Sequence, residues 1–190
     1  GINAVYSVAY EADQKHGTDY LERFKKWLIY IQDETLMVVG AMTDPKGDRS
    51  KGPADQPDPD QYVHVVERRE DGVVIRGAKL HMTGAVNSHE ILVMPTTAMD
   101  ERSKDYAIVC AVPVDAPGIT MIFGRQTSDD RRDHRERIDT GKPSFGSVGG
   151  EAVIAFEDVF VPNDRLFMNG ETALTGILVY RFAAHHRANY

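Results

Sequence analysis

The sequence predicts an α+β fold, a central antiparallel β-barrel or sandwich with helical segments on both sides. Three observations predict it. Near the start, Tyr20, Phe24, Trp27, Leu28 and Ile31 recur at helical spacing and form one apolar stripe. Between about 35 and 167 the period shortens to runs rich in Val and Ile, each bounded by Gly, Pro, Asp or Asn. Towards the end the helical period returns, with Leu178, Phe182, His186 and Tyr190 spaced by four. Residues 1–34 therefore form a helical zone, 35–167 a β zone and 168–190 a second helical zone.

The elements follow in order. Gly17 ends a first helix, and Asp19 with Glu22 makes a capping-box-like start for the next. The strand candidates are "LMVVGAM", "YVHVVERRE", "GVVIRGAKLHM", "HEILVMP", "YAIVCAVPV" and "EAVIAFEDVFVP". Glu70-Asp71-Gly72 reads as a hairpin turn, with Gly72 taking the positive φ that such turns use. The alternation within "GVVIRGAKLH" is imperfect and leaves its inward face undecided. "DVFVPNDRLF" reads as a strand end leading into a helix. Residues 43–61 and 124–150 are irregular and longer than ordinary connections, which marks them as functional loops or insertions.

Composition bounds the function classes. Of 190 residues, 42% are hydrophobic and 27% charged, the balance of a globular chain. The net charge of −7 argues against a nucleic-acid partner. No apolar run is long enough to span a membrane, and the first residues lack the basic-then-apolar pattern of a signal peptide. Cys110 is the single cysteine, expected as a buried strand residue, which excludes an internal disulfide and fits a reducing cytoplasm.

Four stretches carry candidate chemistry. In "AMTDPKGDRS", Thr43, Asp44, Lys46, Gly47, Asp48 and Arg49 make either a solvated turn or a loop touching a polar ring or a phosphate. "KLHMTGAVNSHEILVMP" gathers His81, Thr83, Gly84, Asn87, Ser88, His89 and Glu90 between two strands. It is a polar turn or a face for a flat ligand, and His81 with His89 is a weaker metal candidate. Glu151 opens a strand after two glycines, as an exposed carboxylate or an acid–base group beside a pocket. Arg165 is placed to bind a phosphate or to pair with Asp158 or Asp164. Finally, "RFAAHHRANY" puts His186 and Tyr190 on one helical face at the end of the sequence, where nothing beyond holds their geometry. The expectation is that these residues belong to a site completed by further chain.

Together, "AMTDPKGDRS", "VVERREDGVVIRGAKLHMTGAVNSHEILVMPT", "KDYAIVCAVP", "FEDVFVPNDR" and "RFAAHHRANY" resemble the 4-hydroxybutyryl-CoA dehydratase/vinylacetyl-CoA isomerase family. That family lies within the 4-hydroxyphenylacetate 3-hydroxylase flavoprotein group, with an acyl-CoA dehydrogenase-like fold. The resemblance implies that 1–34 close an N-terminal helical domain, 35–167 form the middle β domain and 168–190 open a C-terminal helical domain. It implies FAD, a [4Fe–4S] cluster, an acyl-CoA substrate and a homotetramer, while the cytoplasmic location is expected from the single thiol. By motif match, Met42, Thr43, Asp44, Pro45, Lys46, Gly47, Asp48 and Arg49 form one flavin-contacting stretch. His81, Met82, Thr83 and Gly84 form a second, with Thr83 beside the redox-active ring edge. His186 would be the cluster histidine, with cysteine partners outside these residues, and Glu151, Tyr190, Thr83 and His186 would serve catalysis. The segment 128–140 fits the family pattern poorly and takes no role. Two other readings stay open: a reduced-flavin phenol hydroxylase without iron, and a non-catalytic β domain for nucleotide binding or assembly.

Overall fold

The computed structural model describes residues 1–123 and 151–188. The expected irregular stretch 124–150, the 128–140 segment within it and Tyr190 lie outside the described residues.

Two helices come first, α1 (Ile2–His16) and α2 (Tyr20–Asp33). Gly17 closes α1 with φ of 67°, the left-handed conformation that a Cβ would disfavour. The start of α2 differs from expectation. Asp19 is its N-cap residue but makes no side-chain cap bond. The carboxylate of Asp13, at the end of α1, accepts from the backbone N–H groups of Tyr20 (2.9 Å) and Leu21 (3.0 Å) instead. That bond also fixes the angle between the helices.

Among the described residues eight strands follow. One sheet has the order β1 (Val38–Ala41), β4 (Glu90–Val93), β5 (Ile108–Pro113), β8 (Leu166–Asn169). The other has the order β2 (His64–Arg68), β3 (Gly72–Thr83), β7 (Glu151–Pro162), β6 (Ile119–Phe123). The described strands thus stack as two four-stranded sheets rather than closing a barrel. The sheets are not wholly antiparallel either, because β1 runs parallel to β4. A last helix, α3 (Thr172–Ala188), packs beside α1, with Leu174 and Leu178 in the core on the helical side of the first sheet.

The first sheet is the middle layer, and its strands bury both faces. Leu92, Val109, Ala111 and Met168 pack towards the helices with Phe24, Trp27, Leu174 and Leu178. Ile91, Val93, Ile108, Cys110 and Val112 pack towards the second sheet with Ile75, Ile154, Phe156 and Val161. Strands covered on both faces read as continuous apolar runs, which is the pattern of "YAIVCAVPV". Phe24, Trp27 and Phe167 lock α2 onto β8, with ring centroids 4.9 to 5.7 Å apart. Each such pair is worth about 1 kcal/mol beyond the area it buries.

The broken alternation of β3 has a structural cause. Its pairing with β7 shifts register between Ile75 and Gly77 and again between Lys79 and Met82. At the first shift the extra residue lies in β7, between Phe156 and Val159, and Val73, Ile75, Gly77 and Lys79 stay on the buried face of β3; at the second it lies in β3 itself, at Leu80–His81, and moves the inward face on to Met82. The β2–β3 hairpin forms, closed by Arg69 N–H to Gly72 O at 2.8 Å. Gly72 does not hold the positive φ expected of it. It is needed for close approach, since a Cβ there would meet the Phe160 ring at 2.8 Å. The "DVFVPNDRLF" expectation is also corrected: β7 ends at Pro162, Asn163–Arg165 form one 3-10 turn, and β8 follows before any helix.

Candidate functional site

The second bulge of β3 builds the first part of the site. It puts His81 at φ of 57°, a conformation that only a few per cent of non-glycine residues adopt. Beyond it, Thr83 stands opposite Glu151 in the β3–β7 register. Thr83 Oγ1 donates to Glu151 Oε1 at 3.4 Å, and His81 Nδ1 lies 3.1 Å from Glu151 Oε2. All three side chains are exposed, so they face outward as one polar cluster. Met82, between them, is buried and packs between the sheets, so its side chain is turned away from the cluster. Gly84 has φ of 76°, and a Cβ there would meet nothing closer than Met37 at 4.0 Å. The backbone at Gly84 is therefore open to a flat group.

The loop after β1 builds the second part. Thr43, Asp44, Pro45, Lys46, Gly47 and Arg49 line a cavity of about 260 Å³. Lys51, Gly52, Tyr62, Thr96 and Thr97 also line it. Met42 is not on this wall; it is buried in the helix-side core. Asp48 is turned to its own loop, accepting from Ser50 N–H at 3.0 Å, while its backbone N–H donates to Gln56 Oε1 at 3.0 Å. Gly47 lets that loop close, since a Cβ would collide with the Gln56 and Gln61 side chains. Leu80 N–H donates to Thr43 O at 2.8 Å, so the loop and the β3 bulge are joined directly.

The electrostatics of the cavity are set from beneath. Lys79 is buried and donates to Asp44 Oδ1 (2.5 Å), Met94 O (2.8 Å) and Met42 O (3.0 Å). Burial pushes its ammonium below the ordinary lysine range, and the Asp44 carboxylate opposes that. The other oxygen of Asp44 accepts from Thr96. With Asp44 neutralised from below, Lys46, Arg49 and Lys51 leave the cavity cationic. Cations, threonine hydroxyls and glycine backbone are the donor set that suits a phosphate-bearing group. A flavin dinucleotide, with a pyrophosphate and a flat ring, fits the chemistry of these residues.

The remaining candidates are placed elsewhere. His186 is exposed on α3 and stacks on Phe182, with ring centroids 6.0 Å apart. Its neighbour His185 lines a cavity of about 440 Å³ with Gly1, Asn3, Gly40 and Leu92. His89 Nδ1 accepts from Met37 N–H at 3.1 Å, well separated in role from His81. Among the described residues no three His, Cys, Asp or Glu side chains gather as a metal group. Cys110 is fully buried, and burial pushes its thiol up to about 12. A thiol so protonated and enclosed is neither ligand nor nucleophile. Arg165 does not pair with Asp158 or Asp164; it donates to the buried Glu90 at 2.6 Å, which also accepts from Trp27 Nε1 at 3.3 Å. Asp158 is taken by Arg76 at 2.7 Å.

Sequence reasoning missed Lys79, Thr96 and Thr97. The signal for Lys79 was present: a lone lysine within a strand otherwise facing the core.

Comparison with known proteins agrees with this geometry. The family model described as 4-hydroxyphenylacetate 3-hydroxylase N terminal matches residues 1–168. The 4-hydroxybutyryl-CoA dehydratase/vinylacetyl-CoA-Delta-isomerase of Clostridium aminobutyricum is 52% identical over 190 residues, covering 100% of this chain and 38% of that protein. A solved oxygen-tolerant archaeal 4-hydroxybutyryl-CoA dehydratase from N. maritimus superimposes with a TM-score of 0.88 at 48% identity, over 100% of this chain and 37% of that one. The oxygenase component of 4-hydroxyphenylacetate 3-monooxygenase, solved in complex with FAD, gives 0.72 at 29% identity over 94% and 36%. The chain thus spans well under half the length of each relative. With most of its residues matched by one family model, the chain belongs to the 4-hydroxyphenylacetate 3-hydroxylase N-terminal family.

Proposed function

We propose that these residues are the β domain and adjoining helices of an enzyme that dehydrates 4-hydroxybutyryl-CoA to crotonyl-CoA and isomerises vinylacetyl-CoA. The observation that carries this reading is the margin of likeness: 52% identity along the whole chain to the dehydratase, against 29% to the FAD-bound hydroxylase component. The division into residues 1–34, 35–167 and 168–190 as parts of three acyl-CoA dehydrogenase-like domains belongs to the same reading. So do the homotetramer and a cytoplasmic location. Among the described residues no helix is long and apolar enough to cross a membrane.

FAD would lie along Thr43–Arg49 and His81–Gly84, and His186 would give the imidazole ligand of a [4Fe–4S] cluster whose thiolates come from outside these residues. When bound, the flavin would supply a reversible one-electron oxidation that acidifies the β C–H and is undone once the hydroxyl has left, so the dehydration stays redox-neutral, and the cluster would supply a Lewis acid for that hydroxyl. The chain's own residues then have defined tasks. Lys46 and Arg49 neutralise phosphate charge at the cavity. Thr83 Oγ1 donates towards the flat ring or the substrate. Glu151 orients the substrate or relays a proton through the oxygen it shares with Thr83 or His81. His186 would take the β-proton on the same ring nitrogen that would otherwise bind iron, so its two tasks would alternate rather than coincide, and Tyr190 would position the hydroxyl.

The test is anaerobic incubation of the full-length protein with 4-hydroxybutyryl-CoA. Formation of crotonyl-CoA supports the reading. The matched family model favours a second reading, hydroxylation of a phenol by reduced flavin and oxygen. A phenol hydroxylated in air, with no crotonyl-CoA formed anaerobically, selects that second reading.

A further inference from the structure

Lys79 is the least expected residue of the fold. It is 2% exposed, and lysine is almost never fully buried unless paired. Removing an ammonium from water costs several kcal/mol, so its three donors must all be satisfied. They are, and the identity of the acceptors is informative. Met42 O lies one residue past the end of β1, and Met94 O one residue past the end of β4. Asp44 is in the loop that follows β1. Lys79 itself belongs to β3, in the other sheet, at the residue where the second bulge begins. One ammonium therefore ties the ends of two parallel neighbours in one sheet to the bulge in the other.

The ties continue to both lips of the 260 Å³ cavity. Asp44 carries the Thr43–Gly47 lip and, through its second oxygen, holds Thr96 in the other lining segment, 96–98. On the β3 side, Leu80 N–H bonds to Thr43 O next to Lys79, His81 lies in the same bulge and Thr83 follows just beyond it. An apolar residue at 79 would fill the volume but take the ammonium donor from two carbonyls and from one oxygen of the Asp44 carboxylate, leaving that carboxylate only Thr96.

We infer that Lys79 is a positioning residue that fixes both lips of the cationic cavity relative to the bulge bearing His81 and Thr83. Its consequence for the cofactor rests on the proposed flavin-binding reading, whereas the holding of the two lips does not.

The experiment uses the full-length protein with Lys79→Met and the double variant Lys79→Met/Asp44→Asn. The double variant removes the uncompensated carboxylate and so separates positioning from simple charge burial. Hydrogen exchange at the amides of 43–49 and 96–98 is followed together with thermal unfolding and an FAD titration. In the double variant, exchange of these two segments is expected to rise roughly tenfold or more while β5 and β7 keep their protection. FAD affinity is expected to fall by a similar factor. If Lys79→Met does not fold, the double variant decides alone. Wild-type protection of both segments in the double variant overturns the inference, and so does a uniform loss across all strands. A wild-type protein that binds no FAD defeats the flavin reading, while the exchange pattern still decides the role of Lys79.

Discussion

Thr83 and Glu151 are register partners across β3 and β7, 68 residues apart in sequence, with Thr83 Oγ1 3.4 Å from Glu151 Oε1. The same carboxylate faces His81 Nδ1 at 3.1 Å, so one acidic group serves two neighbours at the mouth of the second sheet. Glu151 is exposed at the start of its strand, and its replacement should not disturb the core. Glu151→Gln in the full-length protein is expected to leave the unfolding midpoint unchanged and to lower turnover of 4-hydroxybutyryl-CoA by roughly 100-fold or more, the usual scale for an acid–base group. Steady-state kinetics beside a thermal melt checks this. Unchanged turnover removes Glu151 from the chemistry.

Arg165 and Glu90 make the tie between the α2 layer and the β7–β8 turn. Glu90 is 2% exposed and accepts from Arg165 and Trp27. Arg165→Met leaves a buried carboxylate with only the indole N–H, and is expected to cost about 3 kcal/mol in urea denaturation. Adding Glu90→Leu should recover most of that loss, because two apolar groups then replace the pair. An equal loss in single and double variants would show that packing, not charge, holds the joint.

Two glycines separate fold from site. Gly77 pairs with Phe156 beside the first register shift with φ of 131°, and a Cβ would lie 2.6 Å from Val63 Cα. Gly77→Ala should lower stability by roughly 2 kcal/mol or more, since the backbone on both sides is fixed. Gly84→Ala meets open space and carries only the left-handed penalty, about 1 kcal/mol. Its larger effect is expected on FAD affinity, because the methyl group would occupy the approach of a flat ligand. Denaturant curves paired with flavin titrations distinguish the two positions.

Cys110 gives a pH dependence with a definite sign. Its thiol is pushed by burial from an ordinary value of 9.0 to about 12. The unfolded chain therefore gives up this proton at lower pH than the folded one. The stability this contributes is complete below pH 9 and is lost as pH rises towards 12, with a slope of at most about 1.4 kcal/mol per pH unit. Tyr20, raised first by burial and then by the nearby Glu171 carboxylate, acts in the same direction at higher pH. Cys110→Ala should flatten the first part of the alkaline decline in stability. A thiol reagent should label Cys110 only at the rate of unfolding.

Much of the fold was legible in the sequence because its signals are local. Helical spacing gave α2 and α3, and the glycine at 17 gave the break between the first two helices. Six strands carried enough Val and Ile to be read directly. The two that were missed are edge strands: β6 alternates between half-buried and exposed residues, and β8 follows a polar turn that mimics a helix start. The parallel pairing of β1 with β4 and the stacking of two sheets depend on contacts across most of the chain, which no local period encodes. The site divides in the same way. The polar stretches at 43–49 and 81–84 could be recognised from composition and motif. The bulge that turns Met82 inward and presents His81 and Thr83 to Glu151 could not, because an inserted residue looks like noise in an alternating pattern. Lys79 was read as part of a strand, and only the fold shows what its ammonium holds.

The most direct test of the dehydratase reading is the iron and acid-labile sulfide content of the full-length protein, purified without oxygen. The account predicts about four of each per subunit, the composition of one [4Fe–4S] cluster, together with bound FAD. Protein that is folded and carries FAD yet contains neither iron nor sulfide contradicts it and transfers this chain to the hydroxylase branch.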